Sequence, residues 1–434
     1  MAFDRRSLLR YGAGGMLGAL ASRMLLRDAW ADGPAAQAQL PVARRLVVLW
    51  MNGGPSHVDT WDPKTGPTGG KHKAIKTRVP NVTICEHLPR MAELADKLAI
   101  VRSLSSKEGN HQRAQYMLHT GYAPNPTVVH PSMGAWLTKH APDPASGLPG
   151  FVSIGGPSYG AGFLGVQYGP FVLPKGGKGP ENLGYAQDTD RARFEARTKL
   201  LAQMEDRFAK ETGDAKVEGR RALYAKAVRL MHSEDAPAFD LTQETEATRA
   251  SFGDTDFGRG CLSAVRLLEA GVKVVEVVLD GWDTHQDNFT RTQKLMETVD
   301  PAMSSLLGQL DRRRAKGERD TLLQSTLVVW MGDFGRTPRI NGNDGRDHFP
   351  QASSLVLAGA GIRGGQAYGQ TDAEGAKVVK DLVTVPNLMA TIAAPLGLDP
   401  GETFMTPIGR PISITDKGEP IKALLKDPLR VASA

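Results

Sequence analysis

Apolar runs and polar loops alternate along this chain in a way that predicts strands and helices in turn. Three apolar runs have the length of buried strands, and each stops at a loop that carries acidic or histidine side chains. These runs are Arg45 to Met51, Val272 to Leu279 and Leu327 to Met331. The alternation predicts an α/β fold with a mostly parallel central sheet and helices on both faces. The other predicted elements are helices at 88–98, 112–119, 257–270 and 294–314, short strands at 99–101 and 151–154, and a last αβ-like segment at 382–396.

Residues 188–233 interrupt this alternation. They are dense in Arg, Lys, Glu and Ala at helical spacing and contain few β-branched residues, with a break at 211–214. That composition predicts a pair of exposed helices inserted into the domain, whose charges are solvated faces.

The first 31 residues predict an export signal. Arg5 and Arg6 form a twin-arginine pattern, an apolar run follows from Tyr11 to Leu20, and 29–31 offers a small-x-small cleavage site. This predicts a periplasmic or secreted protein that uses the twin-arginine translocation machinery as a partner and meets the membrane only transiently. A retained signal anchor is the alternative. We assign 1–31 to the signal peptide, 32–43 to a flexible lead-in, 44–420 to one α/β domain and 421–434 to a C-terminal tail.

Composition narrows the functional classes. The chain has 434 residues, 41% of them hydrophobic, which is ample for a large core. Its two cysteines, Cys85 and Cys261, are too few for a disulfide framework or a cysteine-built zinc site, and we interpret both as buried apolar residues. Residues 1–31 hold five Arg and two Asp, so their removal lowers the net charge from +6 to +3. That charge is too weak and too scattered to predict a nucleic-acid partner.

The loops after the three predicted strands are the candidate site, because open α/β sheets bind ligands at the carboxyl ends of their strands. Carboxylates, imidazoles and guanidinium groups together suit a metal ion that holds an anionic ester. Each loop also has a simpler interpretation as an Asx turn, a capped helix or an Asp–Arg pair. The candidates are Asp59 in the first loop, Asp283 and His285 in the second, Asp333, Arg336, Asp347 and His348 in the third, and His111 and Arg113 at the start of a helix.

Five segments in order resemble an exported bacterial family known as DUF1501. They are GGPSHVDTWDPK (53–64), EGNHQRAQYMLHTGY (108–122), AFDLTQETEATRASFG (238–253), GWDTH (281–285) and GDFGRTPRINGNDGRDHFP (332–350). The family is grouped with the alkaline-phosphatase and sulfatase superfamily. The resemblance therefore implies an alkaline-phosphatase/sulfatase-like fold, divalent metal binding and hydrolysis of phosphate or sulfate esters.

The resemblance also implies a ligand set. Asp283 and His285 are similar to an Asp and a His that the superfamily supplies from one strand loop, and His348 with Asp347 is similar to its late His ligand. Imidazole and carboxylate ligands suit zinc or manganese, with calcium as the weaker fit. The predicted ligands of one or two divalent ions are Asp59, Asp283, His285, Asp333, Asp347 and His348.

Two departures from the superfamily pattern limit the mechanism. Asp333 stands where the superfamily has an Asp-His-Gly turn, but Phe334 follows it, so one expected ligand is missing. Aligned on Thr120-Gly121, His111 stands at the nucleophile position, with no Cys or Ser nearby in the motif. The formylglycine mechanism is thereby excluded, which leaves a metal-bound water or His111 itself as the nucleophile.

The sequence therefore predicts an exported metal-dependent hydrolase of phosphate or sulfate esters, in which Arg113 and Arg336 clamp the anionic ester. The alternative is a non-catalytic exported protein that binds sulfated or phosphorylated glycans at the same site. A phosphomutase-like transferase is a third hypothesis, and it fits export poorly.

Overall fold

A computed structural model describes residues 42–141, 144–212 and 216–426 of the chain. The predicted signal peptide lies outside the described residues. The strands are β1 (Arg45–Asn52), β2 (Ala74–Lys76), β3 (Thr83–Cys85), β4 (Leu98–Ser105), β5 (Phe151–Ile154), β6 (Phe171–Leu173), β7 (Val274–Asp280), β8 (Thr326–Gly332), β9 (Gly335–Arg336), β10 (His348–Phe349), β11 (Ser353–Gly359), β12 (Gln366–Tyr368), β13 (Gln370–Thr371), β14 (Val378–Lys380), β15 (Val383–Thr384), β16 (Thr403–Met405) and β17 (Pro411–Ser413).

The α-helices are α1 (Pro89–Glu93), α2 (His111–Thr120), α3 (Met133–His140), α4 (Arg191–Thr212), α5 (Lys216–Met231), α6 (Glu246–Ser251), α7 (Asp256–Glu269), α8 (Asn288–Arg312), α9 (Leu322–Ser325) and α10 (Val385–Ala393). Short 3-10 turns lie between them, for example at His57–Asp59 and Leu241–Gln243. Within the described part of the chain, no helix is both long and apolar enough to cross a bilayer.

A large sheet runs through the centre in the order β12-β4-β11-β8-β1-β7-β5-β6, with β15 beside β4. Only β11 is antiparallel to its neighbours in this sheet, and every other pair is parallel. The predicted mostly parallel sheet is confirmed. An interior parallel strand is covered on both faces, which is why β1, β7 and β8 are apolar along most of their length.

The strand β1 shows how the two faces are filled. Val47, Leu49 and Met51 pack into one hydrophobic core together with side chains of α7 and α8. Leu46 and Val48 pack into a second core together with side chains of α2, α3 and α10. Helices therefore cover both faces of the sheet, as predicted.

The register of the central strands brings their ends together. Asn52 pairs with Asp280, and Met51 pairs with Gly332, so β7, β1 and β8 stop at the same edge. The loops 53–62, 281–287 and 333–347 all leave the sheet from this edge.

Some elements differ from the prediction. The predicted helix 88–98 ends at Glu93, and β4 already begins at Leu98 and continues to Ser105. The helix α3 and the antiparallel strand β11 were not predicted.

Both ends of the described part of the chain make contacts with the domain. In the lead-in, Ala43 is buried, and its N–H donates to the carbonyl of Pro395 at 2.8 Å. In the segment assigned to the tail, Leu424 is buried and accepts a hydrogen bond from the N–H of Arg363 at 2.9 Å.

Candidate metal centre

A small hairpin returns the loop after β8 to the sheet edge. Within it, β9 and β10 pair antiparallel, with His348 opposite Arg336. The loop after β7, with Asp283 and His285, lies beside this hairpin, and His111 at the start of α2 also approaches Asp283. Residues far apart in the sequence therefore meet at one place.

Three imidazoles converge on one carboxylate oxygen. Oδ1 of Asp283 lies 3.4 Å from Nε2 of His111, 3.1 Å from Nε2 of His285 and 3.4 Å from Nε2 of His348. Nε2 of His285 also lies 2.9 Å from Nε2 of His348. The donor atoms of His111, Asp283 and His348 all fall within 4.8 Å of one another.

The outward ring nitrogen of each imidazole has an acceptor of its own. Nδ1 of His111 lies 2.6 Å from Oδ2 of Asp333, and Nδ1 of His285 lies 2.8 Å from Oδ1 of Asp347. Nδ1 of His348 lies 2.8 Å from the carbonyl of Gly109. These acceptors favour the tautomer with the proton on Nδ1, in which a neutral imidazole presents the lone pair of Nε2 to the other two. Such lone pairs repel unless a cation lies between them.

These distances fit a transition-metal ion. Four ligands at about 2.0–2.1 Å in tetrahedral arrangement stand about 3.3 Å from one another. The separations around Asp283 are close to that value. Two buried atoms, Nε2 of His111 and Oδ1 of Asp333, make no hydrogen bond, as expected of a polar site that holds a further group. The donor atoms of His111, Asp283 and His348 meet this spacing as a set, and Nε2 of His285 lies next to two of them, Asp283 and His348.

The surrounding charges keep Asp283 ionised. Burial is the largest single influence and opposes ionisation, but the hydrogen bond from Arg336 at 2.7 Å and the charges of Arg336, His111 and His285 together outweigh it, and the pKa of Asp283 falls to about 2. The hydrogen bond to Asp333 raises the pKa of His111, whereas burial lowers the pKa of His348. The centre thus offers a permanent anion to a metal ion at neutral pH.

Two glycines let the first loop approach the second. Gly53 and Gly54 have φ angles of 112° and 82°, a region that favours glycine. A Cβ on Gly53 would stand 2.5 Å from the backbone nitrogen of Asp283. The carbonyls of both glycines accept hydrogen bonds from the buried Arg336. The Gly-Gly pair therefore fixes the guanidinium that orients Asp283.

Asp59 does not join the centre, contrary to the prediction. Its two oxygens accept from Nε and Nη2 of Arg346 at 2.7 and 3.1 Å, and both side chains are fully buried. Ser56 and Asn288 donate to the same carboxylate at 2.6 and 2.8 Å. With its oxygens occupied in this way, Asp59 acts as a structural counter-ion for Arg346.

Neither predicted ester clamp is placed as expected. Arg113 forms a two-pronged ion pair with Glu108, with both contacts at 2.7 Å. Arg336 is completely buried and is engaged by Gly53, Gly54 and Asp283. Arg336 thus acts by positioning Asp283.

Asp333, Asp347 and His111 have other positions than those predicted. Oδ2 of Asp333 and Oδ1 of Asp347 accept from Nδ1 of His111 and His285, so both carboxylates orient imidazoles, while Oδ1 of Asp333 is buried without a hydrogen-bond partner. His111, predicted as a catalytic group, points Nε2 at Asp283 and His348 as a ligand would.

Two further residues, Gln115 and Phe334, shape the centre. Gln115 donates from Nε2 to Asp333 at 3.2 Å and to Asn52 at 2.8 Å. Gln115 follows His111 by four residues, so both lie on the same face of α2, and this spacing could have predicted its place at the centre from the sequence. The ring of Phe334 lies tilted against two imidazoles, 4.9 Å from the ring of His111 and 4.7 Å from that of His348. Phe334 therefore packs against two imidazoles of the centre.

Fold and site together define a mostly parallel α/β protein with a histidine-rich centre at the carboxyl edge of its sheet. The chain belongs to the family described as a protein of unknown function, DUF1501, whose sequence profile matches residues 43–425. The predicted family membership is confirmed. No match was found among curated proteins.

Several solved structures are similar over most of the chain. Ps i-CgsB has 11% identity and a TM-score of 0.39, covering 83% of this chain and 73% of its own. BT1596, a 2-O GAG sulfatase, has 10% identity and a TM-score of 0.38, covering 83% and 71%. A putative sulfatase from Bacteroides thetaiotaomicron VPI-5482 has 11% identity and a TM-score of 0.36, covering 82% and 71%. Similarity at this level does not assign a role to any single residue of this chain. The chemistry of the centre is therefore argued from the positions of its own side chains.

Proposed function

We propose that this protein is an exported, metal-dependent hydrolase of phosphate or sulfate esters. The observation that carries the proposal is the convergence of three Nε2 atoms on Oδ1 of Asp283. When bound there, a zinc or manganese ion supplies Lewis-acid chemistry, drawing electron density from an ester oxygen and making water a better nucleophile.

The chain's own residues orient this centre and open it to substrate. Asp333, Asp347 and the carbonyl of Gly109 hold the three Nδ1 protons, so each Nε2 faces inward. The side chains of Asp283 and His285 are each nearly half exposed, which leaves one side of the centre accessible to an ester. The buried ring of Phe334 packs against His111 and His348 and shields those two imidazoles.

The position of His111 favours water as the nucleophile. A histidine that attacks an ester needs its Nε2 free, whereas Nε2 of His111 faces Asp283 and His348 as a ligand. Since neither Arg113 nor Arg336 clamps the ester, an ion held by His111, Asp283 and His348 would have to meet its negative charge. A divalent cation attracts the oxygens of phosphate and sulfate groups alike, which is why both ester classes belong in the test.

The test is hydrolysis of an aryl phosphate, an aryl phosphodiester and an aryl sulfate by the mature protein supplied with zinc, manganese or calcium. We expect turnover that a chelator abolishes and that Asp283→Asn lowers at least a hundredfold. His140→Ala, which removes a histidine paired with Glu402 instead, should keep its activity. Absence of turnover from a metal-loaded protein that binds a sulfated or phosphorylated glycan would establish the binding-protein alternative.

A further inference from the structure

A second cluster of metal-ligand side chains lies on the hairpin formed by β2 and β3. Ala74 pairs with Cys85 in this hairpin, so His72, just before β2, and His87, just after β3, lie at the same end. Cys85 is completely buried, and both histidines are partly buried. The pairing register thus brings one thiol and two imidazoles together.

The donor atoms have the spacing of a coordination site. Nε2 of His87 lies 3.2 Å from Nδ1 of His72, and the ligand atoms of all three side chains lie within 4.8 Å of one another. Two imidazole nitrogens bound to one tetrahedral zinc ion are about 3.3 Å apart. The simpler interpretation is an N–H···N hydrogen bond between the histidines beside a buried thiol.

The donor set selects the class of metal. A thiolate with two imidazoles suits zinc or copper(I), and it does not suit magnesium or calcium, which prefer oxygen ligands. The count of two cysteines excluded a site built from cysteines alone, but a mixed site needs only one.

We propose that His72, Cys85 and His87 bind a zinc ion, separate from the candidate metal centre. This site does not depend on the proposed hydrolysis. With three protein ligands, the fourth coordination position is left for water.

The position of the hairpin indicates what this ion does. The ring of His72 packs 5.6 Å from that of Phe289, in the first turn of α8. Just before the hairpin, the carbonyl of Thr68 accepts from Arg346 at 2.8 Å. An ion bound by His72 would therefore hold the hairpin against α8, next to the segment whose Thr68 carbonyl contacts Arg346. Its binding would stabilise the fold.

Cobalt(II) titration of the metal-free, signal-cleaved protein tests the proposal. Cobalt bound to a thiolate gives a near-ultraviolet charge-transfer absorption, and His111, Asp283, His285 and His348 contain no sulfur. We expect one thiolate–cobalt absorption per chain, which zinc displaces. Cys85→Ser should abolish it, whereas Cys261→Ser, at the other buried cysteine, should keep it.

If Cys85→Ser does not fold, a variant of one of the histidine ligands tests the zinc site instead. His87→Gln should weaken cobalt binding at the thiolate at least tenfold and abolish the zinc-induced rise in melting temperature that this site contributes. The proposal is overturned if the wild type shows no thiolate absorption, if the absorption survives Cys85→Ser, or if only copper(I) binds. Ester hydrolysis is measured in a separate assay, so the absence of this zinc site would not contradict the proposed hydrolase activity.

Discussion

At the scale of single residues, the centre depends on which ring nitrogen of each histidine points inward. Sequence position alone predicted that Asp283, His285 and His348 meet, because each follows a strand that ends at the same edge. Sequence position did not predict that Asp59 pairs with Arg346, because the two residues lie 287 positions apart along the chain. A carboxylate in a loop looks the same in sequence whether a guanidinium or a metal takes its oxygens.

The Asp59–Arg346 pair gives a residue-scale prediction. Asp59→Asn leaves the buried guanidinium of Arg346 without a counter-charge, so we expect the free energy of unfolding to fall by about 3–5 kcal/mol. Metal content per folded chain should not change. Urea unfolding and metal analysis measure the two quantities.

Asp344→Asn is the matched control, because Asp344 pairs with Lys71 at an exposed position. That change should cost at most about 1 kcal/mol. An Asp59→Asn protein that loses its metal while keeping its stability would show that Asp59 is a ligand after all.

At the scale of elements, continuous apolar runs identified β1, β7 and β8 because these strands are buried on both faces. The same criterion underestimated β4, which continues through Arg102; that side chain donates to the carbonyl of Trp61 at 2.8 Å. Periodicity carries no information on strand direction. The antiparallel insertion of β11 between β4 and β8 is set by tertiary packing.

Glu244 ties the ends of two helices and gives a prediction at this scale. It accepts from Arg313, just after α8, at 2.7 Å and from Arg266 of α7 at 2.8 Å. The hydrogen bonds from Arg313, and then those from Arg266, lower the pKa of Glu244 from 4.5 to about 2 despite its burial. The pair therefore stabilises the fold fully above the unfolded pKa and loses that contribution as pH falls towards the folded pKa.

Glu244→Gln should accordingly lower the free energy of unfolding by at most about 3 kcal/mol near neutral pH. The difference between wild type and variant should shrink as pH falls below about 4.5. Urea unfolding at a series of pH values measures it. A difference that stays constant down to the lowest pH at which the protein folds would refute the linkage.

At the scale of the whole molecule, the proposed export would connect transport with metal loading. Twin-arginine export carries folded proteins, so under this proposal a metal that stabilises the fold is bound before transport. Residues 1–41, which contain the predicted signal, lie outside the described part of the chain.

The export proposal predicts that changing both Arg5 and Arg6 to Lys leaves unprocessed precursor in the cytoplasm. Cell fractionation with immunoblotting measures precursor and mature chain. Arg10→Lys, which alters a third arginine of the same segment, should be processed normally. Normal processing of the double variant would show that the arginine pair is not the transport signal.

Metal content, measured by elemental analysis of wild type and His285→Ala, tests the central claim most directly. His285 contributes Nε2 at 3.1 Å from Asp283 and 2.9 Å from His348, so its loss removes one ligand and the Asp347 contact that orients it. We predict one ion fewer per chain in this variant than in wild type and in His140→Ala, together with loss of chelator-sensitive ester hydrolysis. Equal metal content and equal turnover in all three proteins would contradict the account.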